Sequence, residues 1–139
     1  FDGNLPEDRA ALIGSWDGYV RSLNTTAADD DGTAIASTVV IGPVNTKELD
    51  EMLLKGIQAV LGEESGEVTY AIHLGRTAEA ALTNVAVATG TWKKGRNLTN
   101  LVRRAGHSIY IKLAAATPWS LEQIRLNLAT AGKIRQRGY

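Results

Sequence analysis

The sequence predicts an all-β fold, an antiparallel β-sandwich of the jelly-roll type with at most one short helix. Apolar and polar side chains alternate over residues 68–74, 107–113 and 119–128. Successive side chains of a strand point to opposite faces of the sheet, so each segment has one apolar and one polar face. Three half-buried strands of this kind indicate two sheets packed on a shared core.

The last predicted strand changes its apolar phase part-way along. Trp119 and Leu121 lie in one phase, whereas Ile124 begins the other phase. One extra residue at Glu122 or Gln123 explains the shift, because a β-bulge places two residues of one strand opposite one residue of its partner.

The segments before and between these strands carry weaker patterns. Residues 76–82 are alanine-rich and fit either one helical turn or an irregular crossing. Residues 90–95 contain two glycines and predict a turn. Further strand character is found in residues 16–23, 35–44 and 85–89, and the second of these strands is expected to end at Gly42-Pro43.

Residues 47–61 fit two different structures. Six apolar residues lie at helical spacing, and Asn45 with Glu48 fits a capping pair at a helix start. Gly56 at the centre opposes a helix by about 1 kcal/mol, and strand-like segments lie on both sides. The residues alone therefore leave helix and strand open.

Composition places limits on the function. The chain has 139 residues, of which 44% are hydrophobic, and 15 basic and 15 acidic residues give a formal net charge of +0. This balance favours neither nucleic acid nor an anionic membrane as a partner, and no apolar run approaches the roughly 20 residues of a membrane span. The chain has no cysteine, which excludes disulfides, zinc-thiolate sites and thiol nucleophiles. We expect an N-terminal arm or linker at 1–15, the sandwich at 16–132 and a basic C-terminal tail at 133–139.

Nothing in the residue pattern points to catalysis, a cofactor or a metal. His73 and His107 have no carboxylate at ligand spacing, and the acidic residues 29–31 lack the alternating oxygen ligands of a calcium loop. Glu63 and Glu64 are adjacent, so on a strand they would point in opposite directions. We therefore expect a protein that is not an enzyme and has no cofactor and no metal site.

Two basic clusters are the candidate protein-contact residues. A charge run is usually a solvated rim; the alternative is a contact surface that acidic residues 29–31 or 63–64 of a neighbouring copy would complement. Trp92 and Trp119 are expected to pack in or over the core, with stacking on a sugar ring as the alternative. The contact candidates are Lys93, Lys94, Arg96, Arg103, Arg104, Lys133, Arg135 and Arg137.

The last third of the chain resembles structural proteins of tailed bacteriophages. A turn at residues 90–97 precedes Arg-x-x-Gly at 103–106, an alternating strand, Trp-x-Leu-Glu at 119–122 and Gly-Lys-x-Arg at 132–135. In that family such a series closes the β-sandwich domain of a tail, neck or nozzle-like component. The resemblance extends from Gly42 to Arg135, although Lys133 stands where the family more often has arginine, and it implies a strand within residues 47–61.

The resemblance implies a structural role in a virion, at the tail or the head–tail junction. The implied mechanism is assembly into a homo-oligomeric ring with other virion proteins as partners. The alternative function is that of a carbohydrate-binding β-sandwich module of a receptor-binding protein, and a glycan partner is expected only in that case. Ring stoichiometry in a particle separates the two functions.

Overall fold

The structure is a computed structural model that describes residues 12–22, 29–30, 32–45, 50–99 and 102–132. The described part of the chain is mostly antiparallel β-structure with a single short helix. Contacts divide the chain into two units, with the break between Thr33 and Ala34. The domain bounds expected from the sequence remain a prediction.

The first unit contains a two-stranded hairpin. Strand β1 (Leu12–Gly14) pairs antiparallel with β2 (Val20–Ser22). In the connecting turn, the Gly18 amide donates to the Ser15 carbonyl at 3.1 Å, and Gly18 has a positive φ of 86°. The strand expected over residues 16–23 is therefore only three residues long, because its first half forms this turn. Strands β3 (Asp29–Asp30) and β4 (Thr33–Ala34) form a second small pair.

The second unit consists of two antiparallel sheets. The first sheet has the strand order β5-β11-β7-β8. In the second, β6 is central, with β12 on one side and β9 followed by β10 on the other. The strands are β5 (Ser37–Val44), β6 (Glu51–Leu61), β7 (Val68–Gly75), β8 (Ala88–Trp92), β9 (Gly95–Thr99), β10 (Arg104–Gly106), β11 (Ser108–Ala115) and β12 (Leu121–Gly132).

The two sheets pack face to face around one hydrophobic core. Side chains from β6, β7, β8 and β11 fill it, and the largest fully buried ones include Trp92, Met52, Ile57, Ile72 and Ile111. These side chains belong to the apolar phase of their strands, so the alternation in the sequence selects the buried face. The predicted all-β antiparallel sandwich is confirmed.

The segment that fits both helix and strand forms β6 from Glu51 to Leu61. Leu54 and Ile57 are both fully buried although they are three positions apart. Lys55 is an extra residue between them, since Leu54 and Gly56 pair with adjacent residues of β12. The bulge shifts the alternation by one residue and creates a three-residue step in the apolar pattern, which imitates a helix.

A second bulge lies where the sequence predicts it. Leu61 pairs with Leu121 and Val60 pairs with Gln123, so Glu122 is the extra residue of β12.

The expected end of β5 at Gly42-Pro43 is wrong, because the strand continues to Val44. Its register with β11 shifts between Ile109 and Ile111. Gly42 has a φ of 142°, and a Cβ there would lie 2.7 Å from the Tyr110 ring. The strand therefore accommodates this dipeptide as an irregularity within its length.

Of the two structures that fit residues 76–82, the helical turn is observed. Helix α1 (Ala78–Thr83) connects β7 to β8, and the Thr77 hydroxyl caps it by accepting from the Ala80 amide at 3.1 Å. Within the described ranges, no helix is long and apolar enough to cross a membrane.

The two lateral sides of the sandwich are built differently. On the closed side, β8 of the first sheet leads through Lys93 and Lys94 directly into β9 of the second sheet. On the open side lie the edge strands β5 and β12, one from each sheet. There the indole N–H of Trp119, just before β12, donates to the Ser37 hydroxyl of β5 at 2.7 Å.

Candidate functional site

The β8–β9 turn on the closed side presents three of the predicted contact residues. Lys93, Lys94 and Arg96 are all exposed. The Asn97 side chain holds this turn: its Oδ1 accepts from the Lys93 amide at 3.0 Å, and its Nδ2 donates to the carbonyls of Lys93 at 2.5 Å and Gly95 at 3.0 Å. One amide side chain thus fixes the backbone that carries the three cations.

Lys93 has an acidic neighbour in its own chain. Its Nζ lies 3.8 Å from Oε1 of Glu67, and both side chains are well exposed, so the pair contributes about 0–1 kcal/mol. The acidic partners expected from the sequence were residues 29–31 or 63–64 of a neighbouring copy, and Glu67 was not among them. Strands β7 and β8 are antiparallel, and Val68 pairs with Trp92. This register brings Glu67, which precedes Val68, close to Lys93, which follows Trp92.

Arg96 also belongs to the outer face of the second sheet. Arg96 of β9 pairs with Val60 of β6, and Val60 pairs on its other side with Gln123 of β12. Two residues further along the same face, Gln58 of β6 pairs with Arg125 of β12. Arg96, Gln58, Gln123 and Arg125 line a shallow depression of about 90 Å³. Two guanidinium groups and two amides provide N–H donors suited to a carboxylate.

Arg125 and the two glutamines of this depression were not among the contact residues predicted from the sequence. The alternation in β12 could have indicated Arg125 and Gln123, because Gln123, Arg125 and Asn127 occupy the polar phase of the strand. That signal marks one outer face but does not show that Arg96 of β9 lies on the same face. The strand order of the sheet provides this information.

Arg103 and Arg104 continue the basic surface of the closed side. They are exposed, and β10 pairs with the same edge of β6 as β9 does. Arg103 has a φ of 38°, a left-handed conformation that is costly for a residue with a Cβ and is often found at functional positions. The structure thus places five predicted contact residues along one side. Lys133, Arg135 and Arg137 lie outside the described residues.

The histidines and the two tryptophans named by the sequence do not form a common site. His73 Nδ1 lies 2.9 Å from the Asn84 carbonyl oxygen, and the described residues contain no group of three potential metal ligands. Trp92 is buried in the core, where it stacks on Tyr70 with ring centroids 4.7 Å apart. Trp119 is half-buried and packs against the core. The expectation that both tryptophans pack in or over the core is confirmed.

The open side exposes part of the apolar phase of its strands. Val39 pairs with the buried Leu113, yet it is 42% exposed. Ile124, Leu126 and Leu128 of β12 are only half-buried, whereas the corresponding side chains of β6 are at most 2% exposed. The open side therefore combines apolar side chains with two strand edges that pair with no other described strand, which is the usual chemistry of an interaction surface.

The β1–β2 hairpin is a further exposed apolar surface. Trp16 is 99% exposed and lies in the turn between β1 and β2, outside the part of residues 16–23 that forms a strand. The other large apolar side chains of the hairpin are also exposed: Leu12, Ile13, Tyr19 and Val20. Isolated two-stranded hairpins are marginally stable.

Polar contacts at the hairpin turn order its backbone. Asp17 accepts from the Arg21 guanidinium at 2.9 Å and from the Tyr19 amide at 3.1 Å. These contacts hold the pKa of Asp17 below its ordinary value, because both favour the charged carboxylate. The Arg21 guanidinium has the larger effect and the Tyr19 amide the smaller one. Arg21 also lies 5.8 Å from the centre of the Tyr19 ring.

Comparisons with known proteins give no relative from which a function can be transferred. No protein-family model matches the chain, and neither curated proteins nor solved structures show significant similarity to it. Its function must therefore be inferred from its own surfaces.

Proposed function

We propose that the protein is a structural component of a tailed-bacteriophage virion, at the tail or the head–tail junction, that acts by homo-oligomeric assembly and not by catalysis. The observation that carries the assembly part is the open side of the sandwich. The motif resemblance at residues 90–97, 103–106, 119–122 and 132–135 supports the virion part.

The open side favours assembly because its exposed groups gain from a protein partner. In an interface, the half-buried apolar side chains of β12 and Val39 of β5 would be removed from water. Each Å² of apolar surface buried in this way stabilises the interface by about 25 cal/mol. The backbone groups along both edge strands that pair with no described strand would gain hydrogen-bond partners. Neither gain requires a chemical reaction at the surface.

The closed side supports assembly in a different way, through charge. Five exposed cations follow one another along this side, and Glu67 approaches only one of them, Lys93. Cations on an interface rim contribute little binding free energy individually, but they set orientation and reject wrongly placed partners. In this proposal, apolar contacts on the open side hold copies together, and the basic side selects acidic neighbours.

The proposal is tested by the mass of the full chain in solution and by its place in particles. Native mass spectrometry and sedimentation velocity over a range of concentrations should show a closed oligomer with one dominant stoichiometry. Labelling of purified virions with an antibody to the chain should mark the tail or neck. A chain that stays monomeric at all concentrations and is absent from virions would show the proposal to be wrong.

A specific observation also favours the carbohydrate-binding alternative. Trp16 and Tyr19 are exposed at one hairpin turn, and flat aromatic rings with adjacent polar groups are typical contact surfaces for sugar rings. Under this alternative the Trp16→Ala variant loses binding to a bacterial surface glycan, whereas Val85→Ala, at another exposed apolar residue, retains it. If the wild-type chain binds no surface glycan, this alternative is excluded.

A further inference from the structure

We infer that β12 pairs antiparallel with β12 of a second copy of this chain, about a two-fold axis at Leu126. This inference rests on the proposed self-assembly and names the surface through which copies meet.

The edge of β12 is long and open to a partner strand. Among the described strands, β12 pairs with β6 alone. It extends over 12 residues and contains neither proline nor lysine, the residues that commonly block pairing at edge strands. The other edge on this side, β5, is interrupted by Gly42-Pro43. The open side therefore has one strand suited to pairing, over residues 123–130, where its alternation is regular.

The inner face of β12 indicates that the partner must continue the sandwich. Ile124, Leu126 and Leu128 pair with residues of β6 that face the core, but they are themselves half-buried. A partner strand with apolar residues on the same face would cover them. A strand from a second copy has those residues.

Matching of faces limits the possible registers. Residues opposite each other in an antiparallel pair point to the same side of the sheet. For inner side chains to meet inner side chains, the two-fold axis must therefore lie midway between the two copies of one residue of β12. It cannot lie at a level between two consecutive residues. Only a few such positions exist within the regularly alternating part of the strand, residues 123–130.

Charge and side-chain type select one of these positions. With the axis at Leu126, Ile124 lies opposite Leu128 of the second copy, and Arg125 lies opposite Asn127. An axis at Arg125 would place two guanidinium groups opposite each other, which is unfavourable. An axis at Asn127 would place Ile124 opposite Thr130. The axis at Leu126 gives the most apolar pairs without like charges in register.

The resulting contact leaves the basic side free for other neighbours. A two-fold contact joins copies in pairs and cannot by itself close a larger ring. The cations of the closed side, on the far side of β6 from β12, remain available for contacts between pairs. The inferred contact therefore predicts an even number of copies in the assembly.

The test uses charge repulsion and its reversal at exposed positions. In the Asn127→Arg variant, two like charges meet twice across the axis, and sedimentation equilibrium should show pair association at least tenfold weaker than in the wild type. In the double variant Arg125→Glu with Asn127→Arg, opposite charges meet, and association should return. Thr89→Arg on the outer face of the other sheet is the matched control and should leave association unchanged. All substituted side chains are exposed, so the monomer fold is preserved.

Cross-linking gives an independent readout because the chain has no cysteine. A mixture of Arg125→Cys and Asn127→Cys proteins should form a mixed disulfide dimer, whereas Arg125→Cys alone should not. If the wild type forms oligomers but Asn127→Arg does not weaken them, the β12 contact is wrong and the proposed function stands. If the wild type does not associate, both are wrong.

Discussion

The closed and open sides of the sandwich cover the hydrophobic core in different ways. On each side the two sheets end, and the core between them must be shielded from water there. On the closed side, β8 continues into β9, and Trp92 is 1% exposed beneath that corner. On the open side, the indole of Trp119 joins the two edges by a hydrogen bond to Ser37, and Val39 remains 42% exposed. In the proposed assembly, a second chain completes the core on the side that is left unfinished in the single chain.

The largest expected effect distinguishes the tryptophans of the two sides. Trp92→Ala should lower the free energy of unfolding by about 3–5 kcal/mol, because it leaves a cavity beside Tyr70 and removes the indole hydrogen bond to Thr99. Trp119→Ala should cost only about 1–2 kcal/mol, since this side chain is half-buried. Urea denaturation followed by circular dichroism measures both. Equal losses would remove the distinction between the two sides.

A second prediction concerns the basic residues and changes assembly without unfolding the chain. Reversing Arg103, Arg104 and Arg135 to glutamate should leave a folded monomer that no longer enters particles. Rim ion pairs contribute about 0.2–1 kcal/mol each, so single reversals should have small effects and the triple variant is the measured one. Circular dichroism checks folding, and incorporation into particles checks assembly. A triple variant that assembles normally but no longer binds a bacterial surface glycan would favour the carbohydrate-binding alternative.

The turn of the closed side depends on Asn97. Asn97→Ala should lower the free energy of unfolding by about 1–2 kcal/mol, because three hydrogen bonds to the turn are lost. Asn97→Asp keeps the acceptor for the Lys93 amide and loses the two donated bonds, so its effect should be intermediate. Urea denaturation of the three proteins gives the order. An alanine variant as stable as the wild type would show that the cations are not held by this side chain.

The smallest expected effect is a pH dependence in the hairpin. The folded pKa of Asp17 is lowered, so its contribution to hairpin stability is present above the ordinary value of 3.8 and is lost as the pH falls through the folded pKa. An NMR titration of the Asp17 carboxyl group should give a midpoint below 3.8, and Asp17→Asn should remove the associated change in the Tyr19 amide signal. A midpoint at or above 3.8 contradicts the contact with Arg21.

The strands with strict alternation were predictable, and those containing irregularities were less so. Residues 68–74 and 107–113 correspond closely to β7 and β11, and the phase change near Glu122 located a real bulge. The bulge at Lys55 was not recognised, because its three-residue step in the apolar pattern also fits a helix. The continuation of β5 past Gly42-Pro43 depends on its pairing with β11, which is information from outside the segment.

The candidate site was predictable in its residues but not in its arrangement. Charge alone selected Lys93, Arg96 and Arg103, which the structure places along one side. Arg125 was missed because strand order, which sequence periodicity does not encode, brings it to the same outer face as Arg96. The open side was missed for the same reason: alternation identifies the inner face of β12 but does not show that the strand is an edge.

Amide hydrogen exchange at several protein concentrations tests most directly whether the open side is the assembly surface. The full chain is compared at concentrations where it is monomeric and where it is assembled. We predict that the β12 amides pointing away from β6 become strongly protected on assembly, whereas the amides of β8 and β9, where the proposed contacts involve only side-chain charges, change much less. Protection that appears at β8 and β9 while β12 continues to exchange as in the monomer would contradict this assignment.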